Sequence, residues 1–155
     1  VVRQFPGKFQ IVGLAAGRNL ALLAEQIRDY HPALVSVQDR DLAKALSPML
    51  PPGHKTRVVY GIAGAQEVAA ATQADLVVSA MVGAVGLEPT LTAIRQGITV
   101  ALANKETLVT AGALVMAAAR EQNVPIIPID SEHSAIFQAI QGNRPEDIRR
   151  LWITA

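Results

Sequence analysis

Short runs of apolar, often β-branched residues alternate along the chain with longer stretches in which apolar positions recur every three or four residues. The runs at 9–15, 34–37, 57–60, 76–79, 98–103 and 124–129 predict strands, and the stretches 20–30, 42–49, 65–72, 87–96 and 106–122 predict helices. In the last of these, Leu108, Ala111, Leu114, Val115 and Ala118 share helical spacing. Gly97 stops one helix, and Asn123-Val124-Pro125 stops another. Strands that are apolar on both faces need cover on both faces. Their alternation with helices predicts the α/β class, as a Rossmann-like, doubly wound parallel sheet. Beyond Ile129 the pattern changes. Residues 130–140 read as a strand end passing into a short helix, Pro145 opens a helical turn, and 151–154 read as the start of another strand. This predicts the beginning of a second, α+β domain.

Composition narrows the options. Basic and acidic residues nearly balance, 14 against 13, for a net charge of +1. That excludes a basic arm and argues against a nucleic-acid partner. Charged residues are only 17% of the 155, so polar residues gathered in one place stand out. The absence of cysteine excludes disulfides, thiolate metal sites and cysteine nucleophiles. No uncharged apolar run reaches the ~18 residues of a membrane-spanning helix, so no membrane partner is expected. The chain opens on Val1, without the pattern of a signal peptide.

Open parallel sheets bind ligands beyond the carboxyl ends of their strands, so the residues just after each predicted strand are the candidates. Gly17-Arg18-Asn19 follows the first. Were that strand the second of a dinucleotide fold, Arg18 would stand where an NAD-binding fold carries an acid, and would favour the 2′-phosphate of NADP. A solvated Arg beside an Asn helix cap has the same local pattern. The Gly-rich turn expected before that strand is not in this sequence, and residues 1–6 read as the tail of the helix after it. Gly83-Ala84-Val85-Gly86 follows a later strand with the wrong spacing, and reads as a tight strand-to-helix turn. Ala103-Asn104-Lys105-Glu106 delivers three polar residues to the rim. Asn104 suits a cofactor amide or hydroxyl, Lys105 a phosphate or developing oxyanion, and Glu106 a helix N-terminus. In Asp130-Ser131-Glu132-His133, the two carboxylates share a side of extended chain. They suit a hard divalent ion, with His133 as a supporting donor. A helix cap at Asp130 explains the same residues equally well. No Ser stands on a nucleophile elbow.

Together these segments resemble the 1-deoxy-D-xylulose 5-phosphate reductoisomerase family. The resemblance is carried by Leu14-Ala15-Ala16-Gly17-Arg18-Asn19, by Ala101-Leu102-Ala103-Asn104-Lys105-Glu106-Thr107-Leu108-Val109 and by the run from Pro128 through Asp130-Ser131-Glu132-His133 to Gln138. Val82-Gly83-Ala84-Val85-Gly86-Leu87, with Pro89-Thr90-Leu91 and Ala93-Ile94, adds to it. It implies an NADPH-dependent, divalent-metal-dependent enzyme (Mn²⁺, Mg²⁺ or Co²⁺). Such an enzyme rearranges and reduces 1-deoxy-D-xylulose 5-phosphate to 2-C-methyl-D-erythritol 4-phosphate in non-mevalonate isoprenoid synthesis. Gly17, Arg18, Asn19, Asn104 and Glu106 would bind NADPH. Lys105, Ser131 and Glu132 would bind the phosphorylated sugar, with Lys105 and Glu132 catalytic. Asp130 and Glu132 would hold the metal. On this reading residues 1–123 are the NADPH-binding domain and 124–155 the beginning of the catalytic one. The family's first strand and Gly-rich turn would precede Val1. Its substrate-closing loop, third carboxylate ligand and helical C-terminal domain would follow Ala155. The chain by itself is then expected to be inert and poorly stable. The resemblance also implies a homodimer and a cytoplasmic location, and leaves a plastid location open. Another NADP-linked dehydrogenase, or a nucleotide-binding module without catalysis, are the alternatives that the residues allow.

Overall fold

A computed structural model describes residues 1–71 and 73–152. The chain divides into two compact units, Val1–Asp75 and Leu76–Ala155. Each is built around a three-stranded, wholly parallel sheet.

In the first unit the order along the chain is β1 (Gly13–Ala15), α1 (Leu20–Tyr30), β2 (Leu34–Val37), α2 (Arg40–Leu46), β3 (Arg57–Tyr60) and α3 (Gly61–Ala69). Strand β2 lies in the middle, with Gly13 opposite Leu34 and Leu34 opposite Arg57. All four of its residues, Ser36 among the three apolar ones, are buried, as a middle strand covered on both faces requires. Helix α1 lays Leu23, Ala24 and Ile27 on Val35 and Val37, and Leu46 and Leu50 complete that core. Its start is fixed by Asn19, whose side chain accepts the Leu22 N–H, and its end by His31 in the left-handed region. Asp39 caps α2 in the same way, through the Leu42 N–H.

The second unit repeats the plan with β4 (Leu76–Ser79), α4 (Leu87–Arg95), β5 (Thr99–Leu102), α5 (Lys105–Glu121), β6 (Ile126–Pro128) and α6 (Ser131–Ile140). Here β5 is central, with Val100, Ala101 and Leu102 buried, and α4 and α5 supply Leu91, Ala93, Ile94, Val115 and Ala119 to the core. Strands β1 and β4 each pair on one side only. Leu76 and Val78 of β4 are exposed, as an edge strand would leave them.

Several boundaries differ from expectation for local reasons. Strand β1 begins at Gly13 because the neighbouring ladder begins there, the Ala33 N–H reaching only as far back as the Val12 carbonyl. Helix α2 starts at its Asp39 cap and yields at Ser47 to a 3₁₀ turn containing Pro48. Helix α3 begins four residues early, in the small-residue run Gly61-Ile62-Ala63-Gly64. Helix α5 is kinked at Ala111 (φ −144°, ψ 32°), next to Gly112. Pro145 opens a 3₁₀ turn over Pro145–Asp147. The strand expected at 151–154 falls mostly outside the described residues.

Candidate functional site

In the second unit, β5 and β6 deliver their polar residues at their carboxyl ends, and each hands over directly to a helix. Asn104 caps α5, its Oδ1 accepting the Thr107 N–H at 3.2 Å. Lys105 and Glu106 form the exposed first turn of that helix. Asp130 caps α6, its Oδ1 accepting the His133 N–H at 3.0 Å. Capping and rim placement thus coincide, because the sheet sends each strand straight into a helix N-terminus.

Asp130, Ser131, Glu132, His133 and Lys105 form one electrostatic cluster. The Nδ1 of the His133 ring lies 2.7 and 2.9 Å from the two Asp130 carboxylate oxygens. The Ser131 hydroxyl donates to Glu132 Oε2 at 2.9 Å. Burial pushes the Asp130 carboxyl upward. The His133 N–H, the His133 ring and the positive charges of His133 and Lys105 together outweigh that and hold it below the ordinary carboxylate range. Glu132 is also held low, by its own backbone N–H, by Ser131 and by Lys105, against smaller upward pulls from desolvation and from the charge of Asp130. Lys105 therefore faces two ionised carboxylates, and the charge of Asp130 is felt at Glu132.

This donor set suits a hard divalent cation, since carboxylate oxygens kept ionised near neutrality are the ligands Mg²⁺ and Mn²⁺ prefer. It is not a complete cage. Among the described residues no group of three or more His, Cys, Asp or Glu side chains is placed to hold an ion. By their chemistry, Asp130 and Glu132 are two oxygen donors of the kind such an ion takes.

The first unit carries the other candidate group. Gly17, Arg18 and Asn19 are all exposed between β1 and α1. The Arg18 Nε donates to the Gln38 side-chain carbonyl at 3.2 Å, so a neutral amide after β2 orients the guanidinium. A Cβ at Gly17 would meet nothing within 4 Å, and the backbone there is open to a ligand. Asn19 is the α1 cap.

Sequence reasoning passed over a polar group beneath the rim. Ser79, at the end of β4, and Thr90, within α4, are buried and hydrogen-bonded to one another at 2.8 Å. The only signal in the sequence is a Thr amid the buried run Pro89-Thr90-Leu91, which reads as core.

The parallel sheets, covered by helices and carrying their polar residues at the strand carboxyl ends, define an open α/β protein of the Rossmann-like class. A model of the 1-deoxy-D-xylulose 5-phosphate reductoisomerase family matches residues 1–112, and one of that family's C-terminal domain matches residues 126–155. The chain belongs to the 1-deoxy-D-xylulose 5-phosphate reductoisomerase family. It is 54% identical to the reductoisomerase of Pelodictyon phaeoclathratiforme and 48% identical to that of Geotalea uraniireducens, over all of this chain and 40% of each relative. Among solved structures, a reductoisomerase in complex with NADPH, fosmidomycin and magnesium superposes with a TM-score of 0.85 at 37% identity. That match covers 92% of this chain and 36% of the other. The Zymomonas mobilis enzyme in complex with NADPH gives 0.82 at 38% identity, over 88% and 36%. The chain thus spans about 40% of the length of the curated relatives it matches.

Proposed function

We propose that this chain supplies part of the active site of a 1-deoxy-D-xylulose 5-phosphate reductoisomerase. The enzyme would convert that sugar phosphate, with NADPH and a divalent metal, to 2-C-methyl-D-erythritol 4-phosphate. The observation that carries the reading is the cluster of Lys105, Asp130, Ser131 and Glu132 at the carboxyl ends of β5 and β6. A plain dehydrogenase has no use for two ionised carboxylates beside a lysine. The relatives' structures with NADPH and magnesium support the same cofactors.

Residues 1–123 are the NADPH-binding domain in this proposal and 124–155 the start of the catalytic one, in line with family matches ending at 112 and resuming at 126. Gly17, Arg18 and Asn19 meet the adenosine 2′-phosphate end of the cofactor, Arg18 as a charge-assisted donor. Asn104 and Glu106 serve the cofactor further along. Asp130 and Glu132 hold Mg²⁺, Mn²⁺ or Co²⁺, which when bound stabilises negative charge on substrate oxygens. Ser131 and Lys105 bind the substrate. The ammonium of Lys105 offsets the charge of the two carboxylates and attracts an anionic substrate to them. Glu132 touches both metal and substrate. His133 holds the Asp130 carboxylate in one orientation from the side. The working enzyme is a cytoplasmic homodimer.

The test is NADPH oxidation by the full-length protein with the sugar phosphate and Mn²⁺, followed by absorbance. Turnover should require the metal and disappear in Asp130→Asn. Oxidation that proceeds equally well with chelator present, or in Asp130→Asn, would return the chain to the plain dehydrogenases. NADPH binding with no metal-dependent substrate binding would leave a non-catalytic nucleotide module.

A further inference from the structure

The turn between β4 and α4 leaves the sheet at its ligand-facing rim, and its tip is apolar and raised. Val82 is 86% exposed and Val85 53%. Gly83 has φ 77° and ψ −167°, a region essentially reserved for glycine. Its own bonds are those of a 3₁₀ segment over Ala84–Gly86, with the Gly86 N–H a long 3.5 Å from the Gly83 carbonyl and the Leu87 N–H donating to the Ala84 carbonyl.

Two buried side chains add to that hold, Asn104 from the cap of α5 and Thr90 from α4, the helix that Gly86 itself opens. Asn104, 3% exposed, donates its Nδ2 to the Gly83 carbonyl at 2.9 Å while its Oδ1 caps α5. Thr90, 1% exposed, donates its hydroxyl to the Gly86 carbonyl at 2.7 Å. That uses the single Thr90 proton, so in the Ser79–Thr90 pair Ser79 is the donor. The Ser79 carbonyl in turn accepts the N–H groups of Ala103 and Asn104 at 2.9 and 3.2 Å. The network ties both ends of the turn to β4, to α4 and to the residue just before Lys105. A buried polar network is stabilising only when its members are paired, and a simple strand-to-helix connection does not need one.

We propose that Ser79, Thr90 and the side chain of Asn104 are positioning residues for the cofactor. They fix the Gly83–Gly86 turn in its bound shape before NADPH arrives, so that the turn need not be ordered on binding. Asn104 then acts on the cofactor through this turn. The inference rests on the NADPH reading given above.

The test uses the full-length protein with Thr90→Val, which keeps the shape and removes the hydroxyl, and Thr90→Ser, which restores it. NADPH dissociation constants come from the fluorescence of the bound dinucleotide, and Mn²⁺ affinity from calorimetry. In Thr90→Val, NADPH should bind about fivefold more weakly, the equivalent of one hydrogen bond of ~1 kcal/mol, with Mn²⁺ affinity unchanged. Thr90→Ser should return NADPH binding to within about twofold of the parent, since it keeps that bond. Ser79→Ala removes only the outer hydroxyl and should weaken NADPH by about twofold to threefold, the lower range for one such bond. It serves if Thr90→Val does not fold. NADPH affinity unaltered in a folded Thr90→Val or Ser79→Ala would overturn the inference. So would a Thr90→Ser protein as weak as Thr90→Val. A parent protein that does not bind NADPH at all would instead overturn the cofactor reading.

Discussion

Substituting Ala for Gly86 places one methyl group where the structure has no room. The added Cβ would lie 2.4 Å from Asn104 Nδ2 and at an ordinary 3.4 Å from Met81 Cβ. Reaching normal separation requires about 1 Å of movement, and Asn104 cannot move that far while holding both Gly83 O and the Thr107 N–H. Losing that part-buried hydrogen bond, or straining the packing to keep it, costs about 1–3 kcal/mol. Against this stands a gain of about 0.4–1 kcal/mol, because Gly86 (φ −77°, ψ −13°) already has a backbone that Ala accepts. The net expectation is a loss of about 1–2 kcal/mol, with the thermal midpoint of the full-length protein lowered by about 1–3 °C. Two comparisons make the reasoning testable. Gly112→Ala, where the nearest atom is Leu108 Cβ at 3.8 Å, should stabilise by about 0.5–1 kcal/mol. Gly86→Ala introduced into Asn104→Ser, where the obstructing amide is gone, should cost almost nothing, so that the two changes are strongly non-additive. Differential scanning calorimetry of the parent and the four variants reads these differences. If Gly86→Ala is as harmless as Gly112→Ala, or is equally damaging with Ser at position 104, then Asn104 does not hold the turn as described.

Other expectations rest on separate observations. Arg18→Ala should weaken NADPH by about 1.5–3 kcal/mol, the scale of a charged hydrogen bond, and NADH much less. Equal losses for both cofactors would remove the 2′-phosphate assignment. The Asp130 and Glu132 carboxyls are held below their ordinary values of 3.8 and 4.5. Their contribution to stability is therefore complete above those values and is lost as pH falls through the lower folded-state values. The thermal midpoint of Asp130→Asn should consequently fall less steeply than that of the parent as the pH is taken below about 4, and identical acid profiles would contradict the cluster. Gly64→Ala should destabilise by about 1–3 kcal/mol, because its Cβ would meet Ser36 Oγ at 2.8 Å and the Val59 carbonyl carbon at 3.2 Å. Ser36→Ala should rescue it only in part, since the Val59 backbone stays, and full rescue in thermal unfolding would argue against that packing.

Where burial was uniform, the chain's own pattern was enough. Leu34–Val37 is apolar but for the small Ser36 because it is the middle strand, and Leu20–Tyr30 carries its caps on either side. Boundaries set by a neighbour were not legible. The residues before Gly13 are as apolar as a strand, yet the pairing ends there, the bond from the Ala33 N–H to the Val12 carbonyl being its last. The kink at Ala111 depends on packing that periodicity does not record. The same division holds at the site. Lys105, Asp130 and Glu132 stood out because rim charge is scarce in this chain, and they do share one field. Ser79 and Thr90 were invisible because a hydroxyl in an apolar run gives no sign of whether its partner is a carbonyl of its own helix or a turn further along.

The ambiguity between cap and ligand, which ran through every candidate, resolves differently from residue to residue, and the number of lone pairs and their access decide it. Asn19, Asp39, Asn104 and Asp130 all cap the helix that follows their strand. Capping consumes one acceptor site. An ionised carboxylate has about four, so Asp130 can accept the His133 N–H and ring and still present oxygen to a cation. An amide has fewer and must also place its N–H groups. In Asn104 each end is engaged and the residue is buried, which commits the side chain to the turn. Asn19 caps with its Oδ1 from an exposed position, next in sequence to the exposed Gly17 and Arg18. Capping therefore leaves oxygen free for the proposed ion at 130 and leaves 19 exposed to a ligand, while at 104 the proposed role in cofactor binding runs through the loop that the cap residue holds.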